Sequence, residues 1–253
     1  MSSAAEQRQA VADLTTLARR DLAAFWALVQ GWPADEVRDA LMEVLPALGE
    51  QYGDAAAALA ADYFETAREA AEVQGTFSPV IAEAPDRARW EALSRWGVDP
   101  LRVTPKTPQV DDDGDPFDFG PDAEPDYAAA LSRVSGGLQR TIADRHRLTI
   151  VESSIADPAA SGWRRVARAG ACDFCKVLAD RRSDGENGVY TEASVQFKSH
   201  DNCSCMASPS WSPNVTKVIG VPFRYSQKKA SWSAERKARE NARMRDYIKS
   251  NNY

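Results

Sequence analysis

The feature that most constrains this chain is a block of cysteine and histidine whose side chains can meet only if the backbone folds back on itself. Cys172-Asp173-Phe174-Cys175 is a C-x2-C knuckle; 24 residues later comes His200-Asp201-Asn202-Cys203-Ser204-Cys205, so the block reads C-x2-C-x24-H-x2-C-x-C. Two cysteines two residues apart can aim both sulfurs at one ion from a tight turn. A second Cys/His pair from a distant segment then closes a tetrahedron, with Zn–S about 2.3 Å and Zn–N about 2.0–2.1 Å. All four cysteines and one of the two histidines fall within 34 positions. The opening MSSAAEQRQA has no basic region followed by an apolar stretch, so the expectation is a cytoplasmic start with reduced thiols, where such clustering favours metal ligation over disulfides.

The block offers five donors for four positions. Cys172, Cys175 and His200 lead, and Cys205 is slightly preferred to Cys203; an all-cysteine site with His200 outside it is the alternative. The competing readings are buried apolar thiols with a surface histidine, or disulfides. Segment 176–199 is polar around Asp180-Arg181-Arg182-Ser183-Asp184-Gly185-Glu186-Asn187-Gly188 and has little to bury. Zinc binding, worth on the order of 10 kcal/mol in a small module, would offset the entropy of ordering it. A catalytic zinc keeps a water position and a carboxylate base, whereas here ligands are in excess. The H-x-E then P-C-x-x-C order of a deaminase is absent. The only histidine left, His146, reads as a solvated or salt-bridged residue at a helix end. The expectation is a structural zinc and no enzyme.

Around this block the chain reads as mainly α with a small α+β zinc-knuckle module. Residues 1–103 form a helical domain. Ser2 or Ser3 can cap a first helix whose apolar positions are Val11, Leu14, Leu17, Leu22, Phe25 and Leu28, and Gly31-Trp32-Pro33 stops it. Pro33 can sit in the first turn of the next helix, with Asp35 and Glu36 near its positive end. Gly53 marks a break or bend, Asp54 caps an Ala-rich helix to about Gln74, and Gly75 closes it. Phe77, Trp90 and Trp96 suggest further helical packing up to Pro100. Residues 104–126, with five prolines and eight acidic residues, read as a solvated linker. Asp111, Asp113 and Asp115 lack the glycine position and closing glutamate of a calcium loop. Residues 127–211 combine a helix, Tyr127 to about Arg145 with a bend at Gly136-Gly137, and the zinc-binding module. Arg147 to Ile155 is a buried helix or strand, Asp157-Pro158 a breaker, and Gly162–Arg168 a strand.

Residues 212–253 read as a basic helical tail. They hold ten Lys or Arg against three Asp or Glu, leaving −13 on the rest of a chain whose net charge is −6. Ser233 can cap a helix to about Lys249 that carries Arg236, Lys237, Arg239, Arg243, Arg245 and Lys249. Such a helix would give salt-sensitive, sequence-independent affinity for DNA, or stay solvated, or dock Met244, Tyr247 and Ile248 on an acidic protein surface. No apolar run approaches the roughly 20 residues that span a bilayer, so no membrane partner is expected.

Several of these residues match a known family. Gly162-Trp163-Arg164-Arg165-Val166, Gly170-Ala171-Cys172-Asp173-Phe174-Cys175-Lys176-Val177-Leu178-Ala179, Tyr190, and His200 to Cys205 followed by Pro209 resemble the Mu F-like minor head proteins of tailed phages, in the style of the actinobacteriophage versions. Arg140 to Ile150, and Trp26, Tyr63 and Arg68 among the N-terminal helices, look similar to the same group. The resemblance covers most of residues 1–210 and is specific only in the Cys/His block. It implies head morphogenesis: a low-copy minor capsid protein inside the head, bound to the portal protein and other head components, assisting assembly and DNA packaging or ejection, in the virion and, during assembly, in the host cytoplasm. The alternative is a zinc-stabilised, sequence-independent nucleic-acid-binding protein outside the virion.

Overall fold

A computed structural model of the chain describes residues 4–102, 124–171, 175, 179, 188–191, 197, 199–218, 233, 235, 236, 238, 239 and 242. Residues 104–123 of the acidic linker, Cys172 and most of the basic tail lie outside them. Four α-helices precede a small sheet: α1 Ala4–Val29, α2 Ala34–Ala70, α3 Arg87–Gly97 and α4 Tyr127–Ala156, with a 3-10 turn at Asp99–Leu101. The strands are β1 Gly162–Val166, β2 Gly188–Tyr190, β3 Met206–Ser210 and β4 Thr216–Val218.

Helix α1 buries Gln7, Val11, Thr15, Ala18, Leu22, Trp26 and Val29, a stripe that advances by four or three residues and so stays on one face. Leu17 and Leu28 belong to the predicted apolar set but are 39% and 72% exposed. Each sits one position N-terminal to a buried residue, about 100° off the stripe. Small Ala18 and Thr15, rather than the longer leucines, face the neighbouring helices. Gly31, at φ +94°, reverses the chain in a conformation glycine adopts cheaply. Pro33 stands just before α2, at its N-cap, with Asp35 and Glu36 in the first turn.

The expected break at Gly53 is absent, because α2 runs unbroken from Ala34 to Ala70. Gly53 serves packing instead: a Cβ there would stand 3.3 Å from Cγ of Arg145, whose Nη2 meets the Asp54 carboxylate at 2.6 Å. Asp54 is thus an ion-pair partner rather than a cap. The helix ends before Gln74, and Glu72 takes the first left-handed position (φ 55°). Arg68 donates to the carbonyls of Val73, Gln74 and Gly75 and holds this exit.

Helix α4 is continuous across the predicted bend at Gly136-Gly137 and the predicted change of state at Arg147. Asp126 caps it by accepting from the Ala129 amide at 2.8 Å. The two glycines are notches rather than a hinge. A Cβ on Gly137 would collide with Leu93 of α3, and one on Gly136 would press against Asp201 at 3.2 Å.

The sheet has the order β3-β1-β2-β4, with β1 antiparallel to β2 and β3, and β2 parallel to β4. Strand β4 falls inside the stretch read as tail, so the basic tail begins after Val218. Among the described residues two large apolar cores form, beside a small cluster of Val11, Ala143 and Met206. One gathers Leu22, Trp26, Leu41, Leu45, Trp90, Val134, Leu138 and Ile142 from all four helices. The other joins Ala60, Tyr63, Phe64, Ile150 and Val151 to Trp163, Tyr190, Phe197 and the cysteines. Helix α4, which the sequence grouped with the cysteine block, contributes to both.

Candidate metal centre

The cysteines sit where the sheet meets the C-terminal half of α4. Strand β1 places Trp163 and Arg165 inward and Arg164 outward, as a period of two requires. Trp163 stacks on Tyr190 at 4.6 Å between ring centroids and lies 5.7 Å from Phe197, giving the cysteines an aromatic floor. The turn that delivers the second pair is closed by the Cys203 amide donating to the His200 carbonyl at 3.1 Å. Asn202 adopts φ 61° there, a left-handed position that asparagine tolerates. The notch at Gly136 lets Asp201 of this turn lie directly on α4.

Cys175, Cys203 and Cys205 are all buried, and their sulfurs lie within 4.8 Å of one another. Cys175 Sγ and Cys203 Sγ are 3.5 Å apart, far beyond the roughly 2.05 Å of a disulfide bond. All three are free thiols. Sulfurs about 2.3 Å from a tetrahedral ion stand about 3.8 Å from each other, so this spacing already suits a metal ion. His200 joins from the Cys175 side, with Nε2 3.5 Å from Cys175 Sγ. Its Nδ1 meets the Asp201 carbonyl at 2.7 Å. A carbonyl only accepts, so Nδ1 carries a proton, and Nε2 is the ring nitrogen that faces the sulfur. That is the arrangement in which ligating histidines are usually held. The three thiols therefore could hold a metal ion, with the His200 imidazole beside Cys175. Both Cys203 and Cys205 reach the cluster; the predicted Cys172 lies outside the described residues.

Electrostatics follow the geometry. Hydrogen bonding from the Cys205 thiol, the Arg147 charge and a Cys175 hydrogen bond outweigh burial and hold the Cys203 thiol down at about 4. Cys205 is pushed up, first by its hydrogen bond to Cys203 and then by burial.

The pattern of cysteines did not announce the groups that hold them. Arg147, in the middle of α4 and 1% exposed, donates from Nε to the Cys205 carbonyl at 2.9 Å and from Nη2 to the Cys203 carbonyl. Its third nitrogen meets Asp144 at 2.6 Å. Arg8 of α1 donates to the intervening Ser204 carbonyl at 3.2 Å. Arg165 brings Nη1 to 3.9 Å from Cys175 Sγ and lies over the Phe197 ring. The only legible signal was the inward phase of Arg165 in a short strand.

His146 departs from expectation. It is fully buried under α1 rather than solvated at a helix end, because α4 continues past it for ten residues. Its Nε2 faces Gln7 Oε1 at 3.2 Å, and burial, then the Arg147 charge, push its pKa down to about 3.

A family model described as VG15 protein matches residues 1–220. The chain belongs to the VG15 protein family. This is a phage-related family, and the match takes in helices α1 to α4, strands β1 to β4 and the whole cysteine block. No curated protein and no solved structure matches this VG15 family member. Among its described residues no helix is long and apolar enough to cross a membrane.

Proposed function

We propose that this VG15 family member is a minor head protein of a phage, of the Mu F-like kind, held in shape by a structural zinc ion and without a catalytic role. Portal protein and other head components are its partners, and the interior of the capsid near the portal is its place. The observation that carries the reading is the buried convergence of Cys175, Cys203 and Cys205 in a chain of a phage-related family, at the position where the Cys/His block resembles those proteins. Sulfur-rich tetrahedral donor sets suit zinc. Its fourth ligand is His200 or Cys172.

A structural role is supported by what surrounds the cluster. Protein groups close over the sulfurs from α4, β1 and the aromatic floor, and the one histidine outside the block is sealed beneath α1. Mass spectrometry of purified virions tests the reading: low-copy presence in particles is expected, and absence from them overturns it.

A second reading, sequence-independent nucleic-acid binding outside the virion, draws on the basic tail. Ser233 accepts from the Arg236 amide at 3.3 Å, as a cap would, and Arg236 and Arg239 are exposed. Lys237, Arg243, Arg245 and Lys249 lie outside the described residues. DNA binding that weakens with salt and vanishes on removing residues 219–253 would assign the tail to packaged or cytoplasmic DNA. Deletion from 212 would also remove β4 and confuse the result.

A further inference from the structure

Three consecutive carbonyls of the second cysteine pair, those of Cys203, Ser204 and Cys205, are all taken by guanidinium groups. Arg147 accounts for two of them and Arg8 for the third. Backbone carbonyls are ordinarily satisfied by backbone amides or water. Here a cation that never leaves its charge behind is carried into the interior to do it, 1% exposed, at a site where desolvating a charge is expensive. Asp144 offsets part of that cost, since its Oδ1 accepts from Arg147 at 2.6 Å and the same carboxylate accepts from Ser199 Oγ at 2.8 Å. A second buried guanidinium, Arg165, stands 3.9 Å from Cys175 Sγ, and both lie over the Phe197 ring, at 5.2 and 3.8 Å from its centroid.

We propose that Arg147 is a positioning residue of the metal centre: it fixes Cys203 and Cys205 through their own carbonyls and, with Arg165, offsets the negative charge of the thiolates around a divalent ion. This rests on the metal reading above. Three thiolates and a divalent cation carry a net −1, and each additional thiolate adds another. In a poorly polarisable interior such an anion is stabilised chiefly by fixed charges nearby. The bidentate fork also sets the distance between the two cysteine backbones, which lysine, a point charge on a flexible stem, would not reproduce. Groups of this kind, one step removed from the ion, typically affect metal affinity 10–100-fold.

The test measures zinc affinity by competition with a chromophoric chelator, and ligand identity by the visible spectrum of the cobalt(II)-loaded full chain. Arg147→Met is expected to weaken zinc binding about 10–100-fold with an unchanged cobalt spectrum, because no ligand is lost. Arg147→Lys should recover only part of that loss. Wild-type affinity in a folded Arg147→Met protein overturns the proposal while leaving the metal reading intact. A wild-type chain that binds neither ion overturns both. If Arg147→Met does not fold, Arg165→Gln carries the same test, with about tenfold weaker zinc binding expected and undiminished affinity counting against the role of the two charges.

Discussion

His146 of α4 and Gln7 of α1 meet at 3.2 Å with both side chains buried, so a neutral imidazole is part of what seats the first helix. Its Nδ1 has no hydrogen-bond partner among the described residues, and charging it would place an imidazolium beside Arg147. The folded pKa, about 3, lies below the ordinary value of roughly 6.5. The stability it contributes is therefore complete above pH ~6.5 and is lost as pH falls toward ~3, at up to about 1.4 kcal/mol per unit. Denaturant titrations between pH 7 and 5 should show this slope, and His146→Gln should flatten it. An equal slope in both proteins would exclude His146 as the cause.

Asp157, just past the end of α4, ties three elements. Its Oδ2 accepts from Arg68 Nε of α2 at 3.0 Å and from Trp211 Nε1 at 2.9 Å, and its side chain is fully buried. Burial raises its pKa, but hydrogen bonds from Trp211, the Ala159 amide and Arg68, with the Arg68 charge, outweigh it and leave it lowered. Asp157→Ala takes the carboxylate from half-buried Arg68, which keeps its carbonyl partners, and leaves Trp211 Nε1 without its acceptor; it should cost about 1–3 kcal/mol in equilibrium unfolding. The depressed pKa adds acid sensitivity only below pH ~4, separable from that of His146. A cost under 1 kcal/mol would mean the pair is solvated.

Gly49 distinguishes a packing notch from a weak point in α2. A Cβ there would run into the Trp90 ring, which is rigid and buried. Were the site open, Gly49→Ala would gain up to about 1 kcal/mol of helix propensity. Instead a loss of about 1–3 kcal/mol is expected from overpacking, partly relieved by Trp90→Leu in the same chain. A Gly49→Ala protein with raised thermal stability would refute the contact.

The metal centre yields a sharper expectation. Ser substituted singly for Cys175, Cys203 or Cys205 should each remove high-affinity zinc, as read by elemental analysis of native protein. His200→Ala and Cys172→Ser separate the two candidates for the fourth position: only the true ligand changes the cobalt(II) spectrum when replaced. Metal-free wild-type protein would end the zinc reading.

Local signals in the sequence reached far into this structure. Periodicity and breakers located α1, the start of α2 and the strand that became β1, since those depend on residues a few positions apart. The cysteine block was legible because metal-ligating residue types, clustered at knuckle spacing, have few other reasons to occur together. The glycines were misread for the opposite reason. Gly53, Gly136 and Gly137 look like helix breakers to any local rule, and only Arg145, Asp201 and Leu93, up to 92 residues away, turn them into sites of close approach. His146 was misplaced because burial is set by α1 crossing over it, not by its neighbours in sequence. Arg147 was invisible as a metal-site residue: nothing in Asp144-Arg145-His146-Arg147 says which of two buried arginines faces the cysteines, and only the folded chain brings the carbonyls of Cys203 and Cys205 within its reach.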